Sequence, residues 1–268
     1  MEARAFGYIQ QLVKDHAGIV VEPGKEYLAE TRLTNVAREQ GLATLHELVA
    51  QLRFRPFGEL HRRVVEAFTT NETSFFRDQR PFDVLRTTIL PALARSGRPL
   101  TIWCAAASSG QEPYSIAMLL REHYMSLAQR TRIIASDFSR EMIARTNAGV
   151  YSQFEVGRGL SPTQIARFMT PVGPEWQIKP DLRAMVETRE INLAMPLPSL
   201  PAIDVLFARN VLIYFDVATK QAILKRMRHV LSPDGVLILG GGESMLGVDV
   251  ELERCTSENK TAWYRCRA

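Results

Sequence analysis

The chain has 268 residues, of which 46% are hydrophobic and 23% charged, and its formal net charge is +4. This composition is ordinary for a soluble globular protein of one large or two smaller domains, whose core can form without disulfides or a structural metal. No apolar run approaches the roughly 18 residues of a membrane span, and the acidic, amphipathic start is unlike a signal peptide. We therefore expect neither a membrane protein nor a secreted, fibrous or disordered one.

The three cysteines, Cys104, Cys255 and Cys266, are too few and too scattered for a disulfide framework or a zinc cluster. They fit a reducing compartment, so we expect a cytoplasmic protein without a bound metal. The five histidines are equally scattered. The sequence offers no obvious Ser/His/Asp or Cys/His set for nucleophilic catalysis.

The first 70 residues contain no convincing strand and predict a helical bundle. Two helices are expected over residues 3–16 and 26–40, the second ended by Gly41. Thr44 and Glu47 form a capping box that opens a third helix. Apolar residues at helical spacing mark a fourth helix, with His61 largely off their stripe: Phe57, Leu60, Val64 and Phe68.

Basic residues cluster near the end of this helical region. Nine Lys/Arg and nine Asp/Glu balance each other through Thr70, yet four arginines have only Glu59 as a local acidic neighbour. We call these four the basic patch: Arg53, Arg55, Arg62 and Arg63. The patch is too local for a nucleic-acid arm, and it is either a solvated helix face or a docking surface for an acidic partner.

Strands and helices alternate from Leu100 onward, after a transition over residues 71–99. Apolar strands are expected at LTIWCA, RIIASD, IDVLFARN and VLILGG, with KTAWYRC as an edge strand. This alternation predicts an α/β domain whose mostly parallel sheet is covered by helices on both faces. Residues 151–192 interrupt the alternation and predict an inserted subdomain, in which RAMVETREINL forms short antiparallel strands.

Ligands of an open parallel sheet bind at the carboxyl ends of its strands. The first such loop runs from Ala105 to Glu112 and is rich in Ala, Ser and Gly, so that backbone can approach a ligand closely. It has neither the G-x-G-x-x-G spacing nor a Gly-Lys-Ser/Thr phosphate loop, which argues against NAD and ATP. A nucleoside without a polyphosphate remains, and S-adenosylmethionine is the common one.

Two acidic residues stand at this edge of the sheet. Asp137 ends the second strand, where it either accepts both ribose hydroxyls or caps the next helix, although Ser139 is available as a cap. Glu112 either stabilises its own helix dipole or meets the cationic amino-acid end of the cofactor.

Polar residues in two other segments also fit a ligand site. In the transition segment, Asn71 and Thr73 precede two adjacent phenylalanines and Arg77 follows them. This pattern disfavours a helix. The alternative to a ligand site in this segment is a capped turn in which Arg77 is solvated. Arg209 and Asn210 follow a buried strand and precede Tyr214, which could also be a core tyrosine.

Six segments together resemble the chemotaxis receptor methyltransferase (CheR) family, in order and across nearly the whole chain: TTNETSFFRD, WCAAASSGQEPYSIA, ASDFS, EINL, ARNVLIYF and SPDGVLILGGGES. The resemblance implies a class I S-adenosylmethionine-dependent methyltransferase, Rossmann-like, with an N-terminal all-helical domain and a small antiparallel β subdomain inserted in the sheet domain. It implies a protein-glutamate O-methyltransferase that forms methyl esters on chemoreceptor cytoplasmic helices and releases S-adenosyl-L-homocysteine. The implied domains are residues 1–70 for receptor docking, a linker at 71–99 and a cofactor-binding domain at 100–268.

The resemblance also assigns residues to the site. Arg77 and Tyr214 would lie closest to the transferred methyl, and the basic patch would meet the acidic helices of a methyl-accepting chemoreceptor. The enzyme would be a monomer that neither binds nucleic acid nor enters the membrane. A methyltransferase of a small carboxylate and a non-catalytic sensor of S-adenosylmethionine are the rival hypotheses. The implied cofactor contacts are Asn71, Thr73, Arg77, Ala105, Glu112, Asp137, Asn192, Leu193, Arg209 and Asn210.

Overall fold

The computed structural model describes residues 1–245, 251–257 and 261–266. It divides into two compact units. The first comprises Met1–Thr70 together with Tyr214–Lys220, a short segment that the sequence placed with the sheet domain. The second comprises Asn71–Ile213 and Gln221–Ala268.

The first unit contains four helices from the N-terminal region, α1 (Ala3–Ala17), α2 (Glu26–Glu39), α3 (Leu45–Phe54) and α4 (Glu59–Glu66). Their apolar faces form a core because residues three and four apart lie on one side of a helix. The Thr44 side chain accepts a hydrogen bond from Glu47 N at 3.2 Å, which confirms the predicted cap of α3. Fully buried members of this core are Ile9, Val13, Leu33, Leu48 and Val64.

Two details of the fourth helix differ from the sequence expectation. Phe57 lies before α4 and is 52% exposed, with its ring stacked on His16 at 3.9 Å between centroids. His61, expected off the apolar stripe, is buried, and its Nε2 lies 2.9 Å from the carbonyl oxygen of Leu52. The aromatic ring is thus held at the surface by a ring partner, while the imidazole enters the core because it has a hydrogen-bond partner there.

The remaining elements alternate along the chain after a broken helical segment. The helices are α5 (Arg80–Val84), α6 (Leu90–Ala94), α7 (Gln111–His123), α8 (Met125–Ala128), α9 (Arg140–Ala148), α10 (Gln153–Gly157), α11 (Pro162–Phe168), α12 (Pro180–Arg183) and α13 (Val217–Val230). The strands are β1 (Leu100–Ala105), β2 (Thr131–Asp137), β3 (Val150–Ser152), β4 (Met169–Val172), β5 (Glu175–Ile178), β6 (Val186–Glu190), β7 (Ile203–Ala208), β8 (Leu231–Leu239), β9 (Leu252–Thr256) and β10 (Ala262–Cys266).

In the described residues, seven strands form the main sheet in the order β6-β2-β1-β7-β8-β10-β9. The pairs from β6 to β8 are parallel, as the apolar strand pattern predicts, and β10 is antiparallel to both of its neighbours. The strand order reverses direction between β1 and β7. This reversal is the switch point at which ligands of doubly wound sheets bind.

Two strand predictions were wrong in their placement. KTAWYRC was expected at an edge, but β10 lies between β8 and β9, so that its backbone is paired on both sides. RAMVETREINL was expected in the insertion, but β6 pairs in parallel with β2 in the main sheet. The insertion retains a three-stranded antiparallel sheet, in the order β3-β5-β4.

A π-helical stretch, Leu85–Ile89, joins α5 to α6 and allows the helix to continue through Pro91. Proline has no N–H to donate, and a proline inside a helix clashes with the preceding turn. The wider π turn accommodates it, because the Leu90 N–H reaches back to the Leu85 carbonyl. Among the described residues, no helix has both the length and the apolar character required to traverse a bilayer.

Candidate functional site

The loop after β1 is held in an unusual backbone conformation. Ala106 and Ser108 have positive φ values of 56° and 51°, and Gly110 has φ 94°. Ala107 N donates to the Ser136 carbonyl at 2.8 Å, which ties the loop to the end of β2. Small side chains and left-handed residues together fold the backbone tightly at the switch point, as the sequence of this loop suggested.

Buried hydroxyl groups fix the outer half of this loop. The Thr146 hydroxyl donates to the Ser108 carbonyl at 3.0 Å, and the Tyr151 hydroxyl donates to the Ser109 carbonyl at 2.7 Å. Burial raises the pKa of Tyr151 well above its ordinary value, so its phenol remains a donor. A Cβ on Gly110 would lie 2.8 Å from Cγ2 of Thr146, so only glycine fits here.

Asp137 ends β2 and is buried. Its Oδ2 accepts the Ser108 N–H at 2.8 Å and its Oδ1 accepts the Ser139 N–H at 2.9 Å. The cap of α9 is Ser139, whose hydroxyl accepts from Met142 N. The carboxylate therefore braces the loop after β1, and since a carboxylate can accept about four hydrogen bonds, this role is compatible with ligand hydroxyls at the same oxygens.

Asn192 and Leu193 follow β6, the strand next to β2. Ile191 N donates to the Asp137 carbonyl at 3.0 Å, which brings the segment after β6 to the same edge of the sheet as Asp137. Asn192 Oδ1 accepts from Ala194 N at 3.0 Å and shapes a turn. Leu193 is buried, and its carbonyl accepts from the Arg226 guanidinium at 2.6 Å.

Arg209 is a buried charged residue with three hydrogen-bond partners, and only 2% of its side chain is exposed. Its Nη1 lies 2.9 Å from Glu112 Oε2, and its Nη2 donates to the Arg77 carbonyl and the Asp78 carboxylate, both at 2.8 Å. The guanidinium also lies over the Phe82 ring, 5.7 Å from its centroid. It therefore fastens the linker and the start of α7 to the end of β7.

Glu112 occupies a position of unusual electrostatics. Its side chain is 13% exposed, and burial raises the pKa of its carboxyl, against the opposing effect of the Arg209 guanidinium. Burial, reinforced by this carboxylate, raises the pKa of the Cys104 thiol well above its ordinary value. The cofactor contact that the resemblance implies for Arg209 stays a prediction; in the structure its guanidinium pairs with Glu112 and the linker, since an unpaired buried charge is costly.

The linker after Thr70 lies against the loop that follows β1. The Asn71 carbonyl accepts from the Ser108 hydroxyl at 2.8 Å, and Phe76 N donates to the Ser115 hydroxyl at 2.9 Å. Thr73 is half-buried in this segment. Arg77 Nη1 donates to the Glu72 carbonyl at 2.7 Å, so its guanidinium folds back over the linker. Residues 76, 78 and 79 all have positive φ values, which makes the turn around Arg77 tight.

No role for Glu243 was predicted from the sequence, although the segment SPDGVLILGGGES that contains it is one of those that resemble the family. One of its carboxylate oxygens accepts from Asn210 N and Gly240 N at 2.7 and 2.8 Å, and the other accepts from Val211 N and Leu212 N at 2.9 and 2.7 Å. Asn210 is thereby held with φ 58° at the end of β7. The sequence signal for this role is an acidic residue just after the glycines that follow β8.

Tyr214 and the basic patch belong to the first unit. The Tyr214 carbonyl accepts from Val20 N at 2.9 Å. Two of the patch arginines have acidic partners other than Glu59: Arg62 pairs with Glu66 at 3.3 Å, and Arg63 pairs with Glu39. Arg53 lies over the Tyr8 ring and donates to the Arg4 carbonyl, whereas Arg55 has no ion pair among the described residues and is exposed. The patch is therefore less positive than its sequence suggests.

The edge of the second unit fits a nucleoside with a cationic end group. Asp137 is a buried hydrogen-bond acceptor, the loop after Ala105 has a tightly folded backbone with small side chains, and Glu112 is a buried carboxylate paired with Arg209. The Arg209 and Glu243 contacts hold these elements in register.

Comparisons with known proteins identify the family of the chain. The CheR methyltransferase SAM-binding domain family matches residues 71–261, and the CheR methyltransferase all-alpha domain family matches residues 4–69. Chemotaxis protein methyltransferase Cher2 of Pseudomonas putida is 40% identical over 250 residues, with 91% of each chain covered. Chemotaxis protein methyltransferase 1 of Pseudomonas aeruginosa is 41% identical over 247 residues, with 90% of each chain covered.

Among solved structures, a TehB-like SAM-dependent methyltransferase from Corynebacterium glutamicum aligns with a TM-score of 0.39 and 13% identity, over 70% of this chain and 93% of that one. The family matches cover both the helical region and the sheet domain with its strand-end loops. Together with the two Pseudomonas relatives, they establish that the chain belongs to the CheR family of S-adenosylmethionine-dependent methyltransferases.

Proposed function

We propose that the protein methylates glutamate side chains on the cytoplasmic helices of chemoreceptors and forms glutamate methyl esters. The observation that carries the proposal is a pair of Arg209 contacts. The Arg209 guanidinium binds both the Arg77 carbonyl and the Glu112 carboxylate, and so holds Arg77 near the end of β7. This arrangement gives the cofactor-binding edge an adjacent cation suited to a carboxylate substrate. The printed names of the Pseudomonas relatives support a role in chemotaxis.

Bound S-adenosylmethionine supplies an electrophilic methyl group on a sulfonium sulfur. A glutamate side chain has an ordinary pKa of about 4.3, so at neutral pH it is already ionised and able to attack. The protein therefore needs no general base, which agrees with the lack of a catalytic triad in the sequence. Its residues must position the carboxylate and remove part of its water.

Arg77 is the residue proposed to orient the substrate carboxylate. Its backbone is fixed through Arg209, while its guanidinium is half-buried in the linker and bonded to the Glu72 carbonyl. A monodentate contact would place the carboxylate without neutralising it. A tight bidentate pair would stabilise the ground state and slow attack, since only stronger binding in the transition state accelerates the step.

Tyr214 and the basic patch complete the proposal. We assign Tyr214 to shaping the path of the methyl group, and the basic patch to docking on acidic receptor helices. Oppositely charged surfaces accelerate association, and this effect weakens as salt rises. The same proposal includes ten cofactor contacts: Asn71, Thr73, Arg77, Ala105, Glu112, Asp137, Asn192, Leu193, Arg209 and Asn210.

The test uses the purified protein, S-adenosylmethionine labelled on its methyl group, and a panel of receptor cytoplasmic fragments. Glutamate methyl esters are base-labile, so we expect label on the fragments to be released as volatile methanol by alkali. Label that resists alkali would indicate N-methylation and refute ester formation. Label found only on small carboxylates would favour the rival small-molecule enzyme.

Arg77→Ala tests the mechanism separately. We expect turnover at saturating S-adenosylmethionine to fall, and calorimetry measures any loss of cofactor affinity separately. Near-normal turnover with intact cofactor binding would remove Arg77 from the mechanism. Tight cofactor binding by the wild type without any turnover would favour a sensor of S-adenosylmethionine over an enzyme.

A further inference from the structure

A cavity lies in the second unit beside the turn around Arg77. Its volume is about 550 Å³, and its walls include Asp78 and Arg80 from the linker side, Gly240 after β8, and Arg254 from β9. Tyr264 of β10 is buried in its wall. None of the residues assigned above to cofactor contact lines this cavity, so it is separate from the cofactor contacts.

Two carboxylates and two arginines line the cavity, and among the described residues only the carboxylates already have partners. Asp78 is paired with Arg209, and the Glu243 carboxylate is occupied by four backbone N–H groups. Arg80 and Arg254 are both exposed, and neither has a carboxylate partner in the part of the chain that the structure describes. Two guanidinium groups on one concave surface attract an anion, and planar carboxylates match their geometry.

An unsatisfied hydroxyl lies in the same wall. Thr261 Oγ1 is shielded from solvent and has no hydrogen-bond partner among the described residues. Buried hydroxyl groups are nearly always paired, so this hydroxyl is available to a ligand, which reaches the shielded Oγ1 only after the Thr261 side chain turns toward the cavity. A carboxylate oxygen can accept from a hydroxyl and from a guanidinium together.

We propose that this cavity binds a second acidic side chain of the protein substrate, close in space to the glutamate that is methylated. The proposal rests on the proposed function and names a specificity subsite for it. Asp78 directly follows Arg77, and Arg209 binds both residues through one nitrogen. The cavity therefore adjoins the turn that presents Arg77, within reach of residues neighbouring the target glutamate.

The experiment is a double-mutant cycle on a receptor fragment that the wild-type enzyme methylates. Acidic residues near the modified glutamate are changed to glutamine one at a time, and the enzyme is made as Arg80→Ala, Arg254→Ala and the double variant. Arg95→Ala is the matched control, because Arg95 is an exposed arginine of the same unit that does not line the cavity. Calorimetry with S-adenosylmethionine checks that each variant is folded and binds cofactor.

We expect KM for the fragment to rise about threefold to tenfold in the double variant, the size of a partly solvated ion pair. One acidic-to-glutamine change in the substrate should raise KM by the same factor with wild type and have no further effect with the double variant. Arg95→Ala should leave KM unchanged.

Additive effects of the enzyme and substrate changes, or an unchanged KM in the double variant, would overturn the subsite while the proposed function stands. If no receptor fragment forms base-labile ester with wild type, the proposed function fails and the subsite fails with it.

Discussion

Glu243 Oε2 lies 2.7 Å from the backbone nitrogen of Asn210, although the two residues are 33 positions apart in the chain. The same carboxylate accepts three further backbone N–H groups, from Val211, Leu212 and Gly240. A single side chain thus shapes the turn that leaves β7. A Cβ on Gly240 would come within 2.7 Å of this carboxylate and 2.9 Å of Asn210 N, so the strand end must be glycine.

We expect Glu243→Ala to weaken S-adenosylmethionine binding at least tenfold and to lower stability. Each backbone N–H left unsatisfied costs about 1–3 kcal/mol, and the Asn210 turn would relax. Glu243→Gln should be intermediate, since an amide keeps only one acceptor oxygen. Calorimetric titration and thermal unfolding measure both effects. Glu175→Gln, at an exposed glutamate of β5, is the control, and unchanged cofactor affinity in both Glu243 variants would contradict the assignment.

Arg209→Met should destabilise the protein by about 3–5 kcal/mol, because it leaves the Glu112 carboxylate buried without its partner. Adding Glu112→Gln should restore part of that loss, since the uncompensated charge is removed. Chemical denaturation of the single and double variants provides the measurement. Arg132→Met removes an exposed pair with Glu187 and should cost less than about 1 kcal/mol. Equal losses in the two arginine variants would show that burial of Arg209 is unimportant.

Gly110→Ala should distort the loop after β1. Alanine at φ 94° is strained, by about 1–2 kcal/mol, and its Cβ would meet the Thr146 side chain. The added Thr146→Ala change should relieve the clash but not the backbone strain, so stability returns only in part. Gly157→Ala is the control, because a Cβ there has no atom within 4 Å and no positive φ. Full recovery in the Gly110/Thr146 double variant would mean that strain at Gly110 is negligible.

Asp216 should give the first unit an acid-dependent stability. Its carboxylate accepts from Thr219 N at 2.9 Å at the start of α13 and pairs with Lys14 at 3.1 Å. Hydrogen bonds from Thr219, followed by the contact with Lys14, lower the pKa of Asp216 to about 2. A depressed carboxyl pKa stabilises the folded state above the unfolded value of about 4, and this contribution is lost as pH falls to about 2.

Asp216→Asn isolates that charge, because asparagine is also a good N-cap. Wild type should exceed the variant in unfolding free energy above about pH 4 and converge with it toward about pH 2. Denaturant unfolding at several pH values measures the difference. A gap that does not change with pH would show that the carboxylate charge contributes nothing.

Arg55→Glu should weaken association with an acidic receptor fragment more than the other changes to the basic patch. Arg55 is exposed and unpaired among the described residues, whereas charge reversal at Arg62 or Arg63 also disrupts an existing pair. The loss should be largest at low salt and shrink as ionic strength rises. Surface plasmon resonance at several salt concentrations measures it, with Arg38→Glu as an equal charge change at an exposed arginine of α2, outside the patch. Equal effects of Arg55→Glu and Arg38→Glu would refute a local docking role.

The sequence by itself determined the alternation of β1, α7 and β2, the capping of α3 and α9, and the family. These features depend on neighbours within about one helical turn or on the alternation of a strand, so local side-chain chemistry specifies them. Asp137 was placed correctly at a strand end for the same reason, and Ser139 was recognised as the cap of the helix that follows.

Only the tertiary structure decided the long-range partners. Arg209 reaches the Arg77 carbonyl across 132 positions and Glu112 across 97, and neither pairing leaves a local pattern in the sequence. KTAWYRC was predicted as an edge strand, but β9 pairs with the outer side of β10. Burial makes an unpaired polar group costly wherever it lies in the chain. Buried charges and backbone groups therefore pair with the partners that the folded chain places beside them, however distant these are in sequence.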